Sequence, residues 1–280
     1  GTFTDVVAWR DGRLQVAKVP SVPADPRQAV LEGARRLGVA DATIFNHAST
    51  KGLNAVLTRS LPKIGFLTTA GHRDMLDAGR AWRPFEGQLD ARWRRPFGDA
   101  ARPLVARYLR RGVRERVLAD GTVLQPLDEA GARAELELLK RCGVEGVAIC
   151  LLNAYVEPRH ERRLAELARE VLGDIPLSVS STTSPRAREF TRAMTTVVDV
   201  MMKLLYGEYA ERLHAGLVAQ GFRGALNFAD CAAALLPWRD ALEAPYRILF
   251  AGPAAGTASC RELGRALGEP GLLCCDVGGT

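Results

Sequence analysis

One loop pattern, met twice, constrains this chain more than any other feature. Gly1-Thr2-Phe3-Thr4-Asp5 and Asp276-Val277-Gly278-Gly279-Thr280 are overlapping pieces of Asp-x-Gly-Gly-Thr-x-Thr-Asp, and each adjoins an apolar, strand-like run. A Gly-Gly pair after a strand lets the backbone turn tightly and aim N–H groups at an anion. The Thr hydroxyls that follow can donate to phosphate oxygens, and a carboxylate at each end can hold Mg²⁺, usually through its waters. One Gly-Gly-Thr turn is a weak signal. Two, each beside a strand, read as loops that grip one nucleotide from opposite sides. The expected phosphate-side residues are therefore Gly1, Thr2, Thr4, Asp276, Gly278, Gly279 and Thr280, with Asp5 and Asp276 as the Mg²⁺ carboxylates. Both ends read as cuts through a loop, so each loop is expected to be completed outside the 280 residues.

Between the loops, strands and helices alternate. A hairpin over 3–9 and 14–19 turns at Asp11-Gly12, and Pro26 opens a helix running to 37. Strands are expected at 43–47 and 63–69, with a helix at 52–59 between them and a short helix at 71–79. The stretch 82–112, with Trp82, Trp93 and three Pro, reads as irregular. A second hairpin over 113–119 and 122–127 follows, then a helix at 129–142 capped by Asp128 and closed by Gly143. Next come a buried strand at 144–152, a helix at 158–172 and a strand at 177–181. Two helical pieces, 185–205 and 208–220, precede a strand at 225–228, a short strand at 247–250, a helix at 253–267 and a strand at 272–276. Such alternation argues for α/β layers, with a domain boundary near 182–190.

Composition excludes several classes. Hydrophobic residues make up 47% and charged residues 25%, so the chain is neither a disordered tail nor a disulfide scaffold. Its apolar runs are strand-sized, which excludes a transmembrane helix, and no basic-then-apolar leader is visible. The net charge of +6 rests almost wholly on Arg, since only Lys18, Lys51, Lys63, Lys140 and Lys203 are lysines. An Arg cluster at Arg92, Arg94, Arg95, Arg102, Arg107, Arg110, Arg111, Arg114 and Arg116 reads either as an anion-binding surface or as a solvated face. Neither zinc-finger spacing nor an RNP-type aromatic run accompanies it, so nucleic acid is not an expected partner. None of the six Cys forms a Cys-x2-Cys pair, which argues against structural zinc and for a reducing, cytoplasmic setting. Cys231 has no nearby His to act as a base, so it reads as a buried structural thiol.

Four residues are candidates for catalysis. His47, with Thr50 and Asn54, ends a strand and opens a helix, where backbone N–H groups favour an anion; a capping or core His fits there equally well. Arg73 and Asp74, with Arg80, either face a cleft or make helix-surface ion pairs. Arg192, near Thr195-Thr196 on a helix, has the same two readings.

The paired loops, with Gly252-Pro253-Ala254-Ala255-Gly256 opening a helix ahead of the second, resemble the actin-like ATPases of the hexokinase, actin and heat-shock-chaperone superfamily. More specifically, the chain resembles the N-terminal portion of the hydantoinase A, 5-oxoprolinase and acetone carboxylase family. The marks run through nearly the whole chain. They include Gly1 to Asp5, His47-Ala48-Ser49-Thr50 with Asn54-Ala55, Thr69-Ala70-Gly71-His72-Arg73-Asp74, Pro126-Leu127-Asp128-Glu129, Cys150-Leu151-Leu152 with Tyr155, Pro158 and His160-Glu161, Glu189-Phe190 with Arg192, and Asp276 to Thr280.

That resemblance implies an α/β fold of actin-like (ribonuclease H-like) ATPase lobes, with mixed sheets flanked by helices. It implies a hydantoinase A N-terminal-type domain over 1–184, carrying the first phosphate loop. Residues 185–280 would start a hydantoinase A-type domain that ends in the second. It implies ATP and Mg²⁺ as cofactors and a hydantoinase B-type partner subunit. The implied reaction is ATP-dependent ring opening of a cyclic amide such as hydantoin or 5-oxoproline. The alternatives are an ATP-dependent ketone carboxylase subunit and a non-catalytic nucleotide-binding module.

Three departures bear on the substrate side. The family usually has His-Gly-Thr-Thr at 47–50 and His-Ser at Asn153-Ala154, and it tends to carry a Gly pair near 227–233, where this chain has Asp230-Cys231-Ala232-Ala233. Losing two glycines removes a permissive turn and is expected to reshape the cleft.

Overall fold

The computed structural model describes residues 2–22, 24–78, 103–269 and 271–277. Along the chain run β1 (Phe3–Arg10), β2 (Arg13–Pro20), α1 (Arg27–Arg36), β3 (Ile44–His47), α2 (Lys51–Thr58), β4 (Ile64–Thr69) and α3 (Met75–Ala78). Then come β5 (Arg110–Val113), β6 (Arg116–Val117), β7 (Val123–Gln125), α4 (Glu129–Arg141), β8 (Gly146–Cys150), α5 (Arg159–Leu172) and β9 (Leu177–Val179). The remainder is α6 (Ser180–Thr183), α7 (Glu189–Ala219), β10 (Ala225–Ala229), β11 (Leu235–Pro237), α8 (Trp238–Glu243) and α9 (Ala251–Leu267). None of the described helices is long and apolar enough to cross a membrane.

By packing, the chain separates into two compact units, Gly1–Thr58 with Leu205–Thr280, and Arg59–Leu204. These units interleave along the sequence, whereas the division at 184/185 is read from pattern alone.

In the first unit β1 and β2 form an antiparallel hairpin, registered from Phe3↔Pro20 to Arg10↔Arg13. Asp11 and Gly12 close it at φ 49° and 75°, the left-handed pair whose twist matches that of the strands. Helix α1 lies on the hairpin so closely at Gly33 that an added Cβ would stand 2.5 Å from Val6 Cγ2. Its buried Ala29, Val30 and Ala34 share the apolar interior with Ala17 and Val19. A separate three-stranded sheet has the order β11-β10-β3, with β3 parallel and β11 antiparallel to β10. Tyr206, Tyr209, Leu213 and Leu217 of α7 are buried in this unit with Leu226 and Phe228 of β10.

The second unit holds a four-stranded, all-parallel sheet in the order β5-β4-β8-β9. Every residue of β4 and of β8 is buried, as expected of central parallel strands covered on both faces. Because β4 is followed on one side by β5 and on the other by β8, the chain reverses its winding between β4 and β8. That is the switch point of an open α/β sheet. Asp128 caps α4 by accepting from Gly131 N at 2.9 Å, as the sequence predicts.

Several expectations need correction. Arg110–Val113 is a strand that begins inside the stretch expected to be irregular and ends at the first residue of the expected second hairpin. Its first residue, read in the sequence as part of an Arg cluster on an anion-binding or solvated face, is a core residue: Arg110 is 1% exposed and held by both carboxylate oxygens of Asp77. The two helical pieces join into the single 31-residue α7, since no Pro separates them and buried apolar residues recur along it, from Ala193, Val197 and Met201 to Tyr206, Ala210, Leu213 and Leu217. Pro245–Ile248 is a 3₁₀ turn opened by Pro245, in place of a strand at 247–250. Residues 271–277 have no regular secondary structure, are exposed and lack a sheet partner among the described residues, so 272–276 is not a strand here. The second hairpin shrinks to the short β6–β7 pair, whose register shifts at Arg116/Val117.

Candidate functional site

In the first unit, a cleft of about 770 Å³ brings together three residues singled out from the sequence, Thr4, Asp5 and His47. Strand alternation turns the Thr4 and Asp5 side chains to opposite faces of β1. Thr4 Oγ1 lies 3.0 Å from Ser21 Oγ, while Asp5 faces outward and pairs with Lys18 Nζ at 2.7 Å.

His47 ends β3 and is buried. Its Nε2 is hydrogen-bonded to Tyr209 Oη at 3.0 Å, and its ring meets Phe228 edge-on. Burial without a counter-charge pulls its pKa down to about 4, so the imidazole is neutral at physiological pH. It offers an anion no positive charge.

The start of α2 is also already furnished. Lys51 N donates to Ser49 Oγ at 3.1 Å and Gly52 N to Tyr206 Oη at 3.1 Å, so these two helix-end amides are satisfied internally. Lys51 Nζ donates to Leu205 O at 2.8 Å and lies 4.7 Å from the centre of the Tyr209 ring. Burial, the largest cause, and then Arg27 lower its pKa.

Asp276 sits in the exposed 271–277 segment and does not line the cleft. Gly1, Gly278, Gly279 and Thr280 lie outside the described residues, as do Arg80, Arg92, Arg94, Arg95 and Arg102. Among the described residues no three His, Cys, Asp or Glu side chains cluster as metal ligands.

Arg73, Asp74 and Arg192 belong to the second unit. Asp74, in the turn ahead of α3, takes two hydrogen bonds from the exposed Arg107, at 2.8 and 2.9 Å, a surface ion pair. Arg73 is half-buried beside it. Arg192 is wholly buried and spreads its guanidinium over three acceptors: Ser180 Oγ at 3.0 Å, Arg186 O at 2.8 Å and Leu151 O at 2.7 Å. Its flat face lies over Tyr155. Thus it ties the turn after β8 to the turn after β9.

Sequence reasoning passed over the polar groups beside it. Glu161 accepts from Leu151 N at 2.8 Å, Ser180 Oγ at 2.6 Å and Ser181 N at 2.8 Å. Glu115 binds His160 Nδ1 at 2.8 Å with one oxygen and accepts from Thr69 Oγ1 with the other, while Thr69 in turn accepts from Leu152 N at 3.0 Å. These groups meet at the carboxyl ends of β4 and β8. His160-Glu161 was visible only as a family mark, and Glu115 carried no signal.

At 227–233 the turn survives without glycine. Asp230 Oδ1 accepts from Ala232 N and Ala234 N at 2.8 and 2.9 Å, and Oδ2 pairs with Arg247 at 2.7 Å. Ala233 pays for the missing glycine with a left-handed φ of 57°. Cys231 is exposed, which corrects the buried reading: in this turn it is Asp230 that points inward.

Comparisons with known proteins extend the picture. The family profile described as Hydantoinase/oxoprolinase N-terminal region matches residues 1–172, and the one described as Hydantoinase/oxoprolinase matches 192–280. The acetophenone carboxylase gamma subunit of Aromatoleum aromaticum is 32% identical over the whole chain and 40% of its own length. The nucleotide-free structure of acetone carboxylase, solved in work on ATP-dependent acetone carboxylation, superposes with a TM-score of 0.86 at 26% identity, covering all of this chain and 41% of that one. The ATP-dependent caprolactamase of Pseudomonas jessenii gives 0.82 at 29% identity, with the same two coverages. The chain thus spans about two-fifths of the length of these relatives. Its mixed α/β architecture, sheets flanked by helices, is that of the actin-like lobes the loops resemble.

Proposed function

This chain belongs to the hydantoinase/oxoprolinase family, and from that membership we propose that it forms the ATP-binding part of an enzyme that opens a cyclic amide. One observation supports the ATP half most: both solved neighbours are ATP-dependent enzymes, and each aligns with all of this chain. In the proposed reaction the terminal phosphoryl group of ATP passes to the amide carbonyl oxygen and ADP leaves. Water then adds to the activated carbon, the ring C–N bond opens and phosphate departs. Positioning and charge neutralisation carry most of such a step.

The residues divide the work by what they can offer. Thr2 and Thr4 supply hydroxyl donors at the start of β1. Asp5 is a single exposed carboxylate shared with the equally exposed Lys18, and it is joined by no further ligand cluster among the described residues. That fits an ion arriving with the nucleotide and held through water, and it does not fit a resident metal. Bound Mg²⁺ would neutralise phosphate charge. His47, neutral and bound to Tyr209, positions the turn between β3 and α2 and does not act as a cation.

A second reading is favoured by the 32% identity to an acetophenone carboxylase subunit: ATP-dependent carboxylation of a ketone. In either case relatives described as subunits support a hydantoinase B-type partner. Phosphate release by the full-length protein distinguishes the readings, with hydantoin, 5-oxoproline, and acetone plus bicarbonate offered in turn. Stimulation by a cyclic amide supports the first reading, and stimulation only by ketone with bicarbonate the second. Nucleotide binding without turnover on any substrate leaves a non-catalytic module.

A further inference from the structure

The division between the two units, at 204/205, falls inside the single helix α7. Ala193, Val197, Val200 and Met201 are buried in the unit Arg59–Leu204, whereas Tyr206, Ala210, Leu213 and Leu217 are buried in the other. Just past the division stands Gly207. Glycine inside a helix is disfavoured against alanine by backbone entropy, so it calls for a reason. Gly216, the other glycine of α7, has one: an added Cβ would stand 2.6 Å from Leu31 Cδ1 of α1. Gly207 has no such reason, since a Cβ there would meet nothing within 4 Å.

Around Gly207 the sequence reads as one helix ending and another beginning. Lys203 lies in the last turn of the expected 185–205 piece, and Glu208 and Glu211 lie in the first turn of the 208–220 piece. Each charge complements the dipole of its own half. The ion pairs respect the same break: Lys203 reaches back to Asp199 at 3.0 Å, and Arg212 reaches back to Glu208, so neither pair spans 206–207.

A helix that parts leaves carbonyls without donors. Leu205 O, whose intrahelical donor is Tyr209 N beyond Gly207, already accepts from Lys51 Nζ at 2.8 Å. Beside it Gly52 N donates to Tyr206 Oη at 3.1 Å. Helix α2 therefore holds 205–206 with or without the turn that follows. The ring contact between Tyr206 and Tyr209, with centroids 5.8 Å apart, favours the continuous helix. At the chain's other passage between the units, 58/59, Arg59 takes a left-handed φ of 59° and 60–63 have no regular structure.

We propose that α7 is a two-state element, continuous or parted at 206–207 into helices 189–205 and 208–219, and that this parting is a hinge in the path between the two units. Gly207 supplies the backbone freedom, and Lys51 keeps Leu205 O satisfied when Tyr209 N withdraws.

Amide exchange in the full-length protein tests it. The N–H groups of 207–211 lose their acceptors on parting, so they are expected to exchange on the order of tenfold or more faster than 197–201 and 214–218. Gly207→Ala is expected to slow 207–211 about fivefold, the helix preference of alanine over glycine, and to leave both flanks unchanged. A Glu-specific protease gives a second readout: it cuts the wild type after Glu208, more slowly in Gly207→Ala, and spares the exposed Glu137 within α4. Exchange at 207–211 as slow as in the flanks overturns the proposal. So does a Gly207→Ala variant that slows all of α7 alike, which marks opening by global unfolding alone. Equal cutting at Glu208 in both proteins counts against it in the same way.

Discussion

Tyr209 Oη and His47 Nε2 are hydrogen-bonded at 3.0 Å, joining α7 to the carboxyl end of β3. The partner is a phenol, not a carboxylate, so nothing compensates a charge on the buried ring. The imidazole, which the sequence leaves open between an anion site and a core position, is therefore buried and neutral.

This arrangement sets a pH dependence. In the unfolded chain His47 takes a proton near pH 6.5, and in the native protein only near pH 4. The unfolded state therefore binds more protons between these values. The stability conferred by a neutral His47 is full above pH 6.5 and falls as pH drops toward 4, by up to about 3 kcal/mol at ~1.4 kcal/mol per unit. Urea midpoints followed over that range should slope less in His47→Gln than in the wild type. Identical slopes would mean that His47 does not report on folding.

Glu115 serves two buried partners at once, His160 and Thr69. Glu115→Ala takes away the carboxylate bound to His160 and the acceptor of the Thr69 hydroxyl, leaving Thr69 only its bond from Leu152 N, and is expected to cost about 3–5 kcal/mol, as removing one member of a buried pair does. Glu115→Gln keeps one acceptor oxygen and should cost about 1–2 kcal/mol. Denaturant unfolding of both variants checks the order, and equal losses would count against a shared carboxylate.

Much of this fold is legible in the sequence where a local rule acts alone. The Asp11-Gly12 turn, the Asp128 cap and the apolar run of β8 each state their structure within a few residues. What stays hidden depends on partners far along the chain. Arg110 becomes a core residue only because Asp77 meets it, and Glu115 becomes a hub only because His160, 45 positions on, folds beside it. The candidate site divides the same way. Thr4 and Asp5 are readable from their loop, whereas the neutrality of His47 follows from Tyr209, 162 positions away.

Ala233 holds a left-handed φ of 57° in the turn built by Asp230. An L-residue there costs about 1–2 kcal/mol, and glycine escapes most of it while losing somewhat more entropy on folding. Ala233→Gly is therefore expected to stabilise the protein by about 0.5–1 kcal/mol in thermal or chemical unfolding. A destabilised variant would show that the turn has another conformation.

Arg192 holds three acceptors with one planar fork, and a Lys in its place reaches one of them. Arg192→Lys is expected to cost about 2–4 kcal/mol and to speed amide exchange at 151–153 and 180–186. Unchanged stability would return Arg192 to the groups free to act on a ligand.

Asp5 offers the sharpest functional contrast. Its pair with Lys18 is more than half exposed on both sides, and such pairs are worth about 0–1 kcal/mol. Asp5→Ala should therefore leave the unfolding midpoint almost unchanged. If Asp5 receives Mg²⁺ through water, the same variant of the full-length protein should bind Mg²⁺-ATP about tenfold more weakly, a loss of ~1.4 kcal/mol. Lys18→Ala removes the competing cation and should tighten binding or leave it level, so the two partners of one ion pair move affinity in different directions. Titration calorimetry with Mg²⁺-ATP reads both. Full affinity in Asp5→Ala would take this carboxylate out of the nucleotide site, and parallel losses in both variants would assign the pair to holding the hairpin.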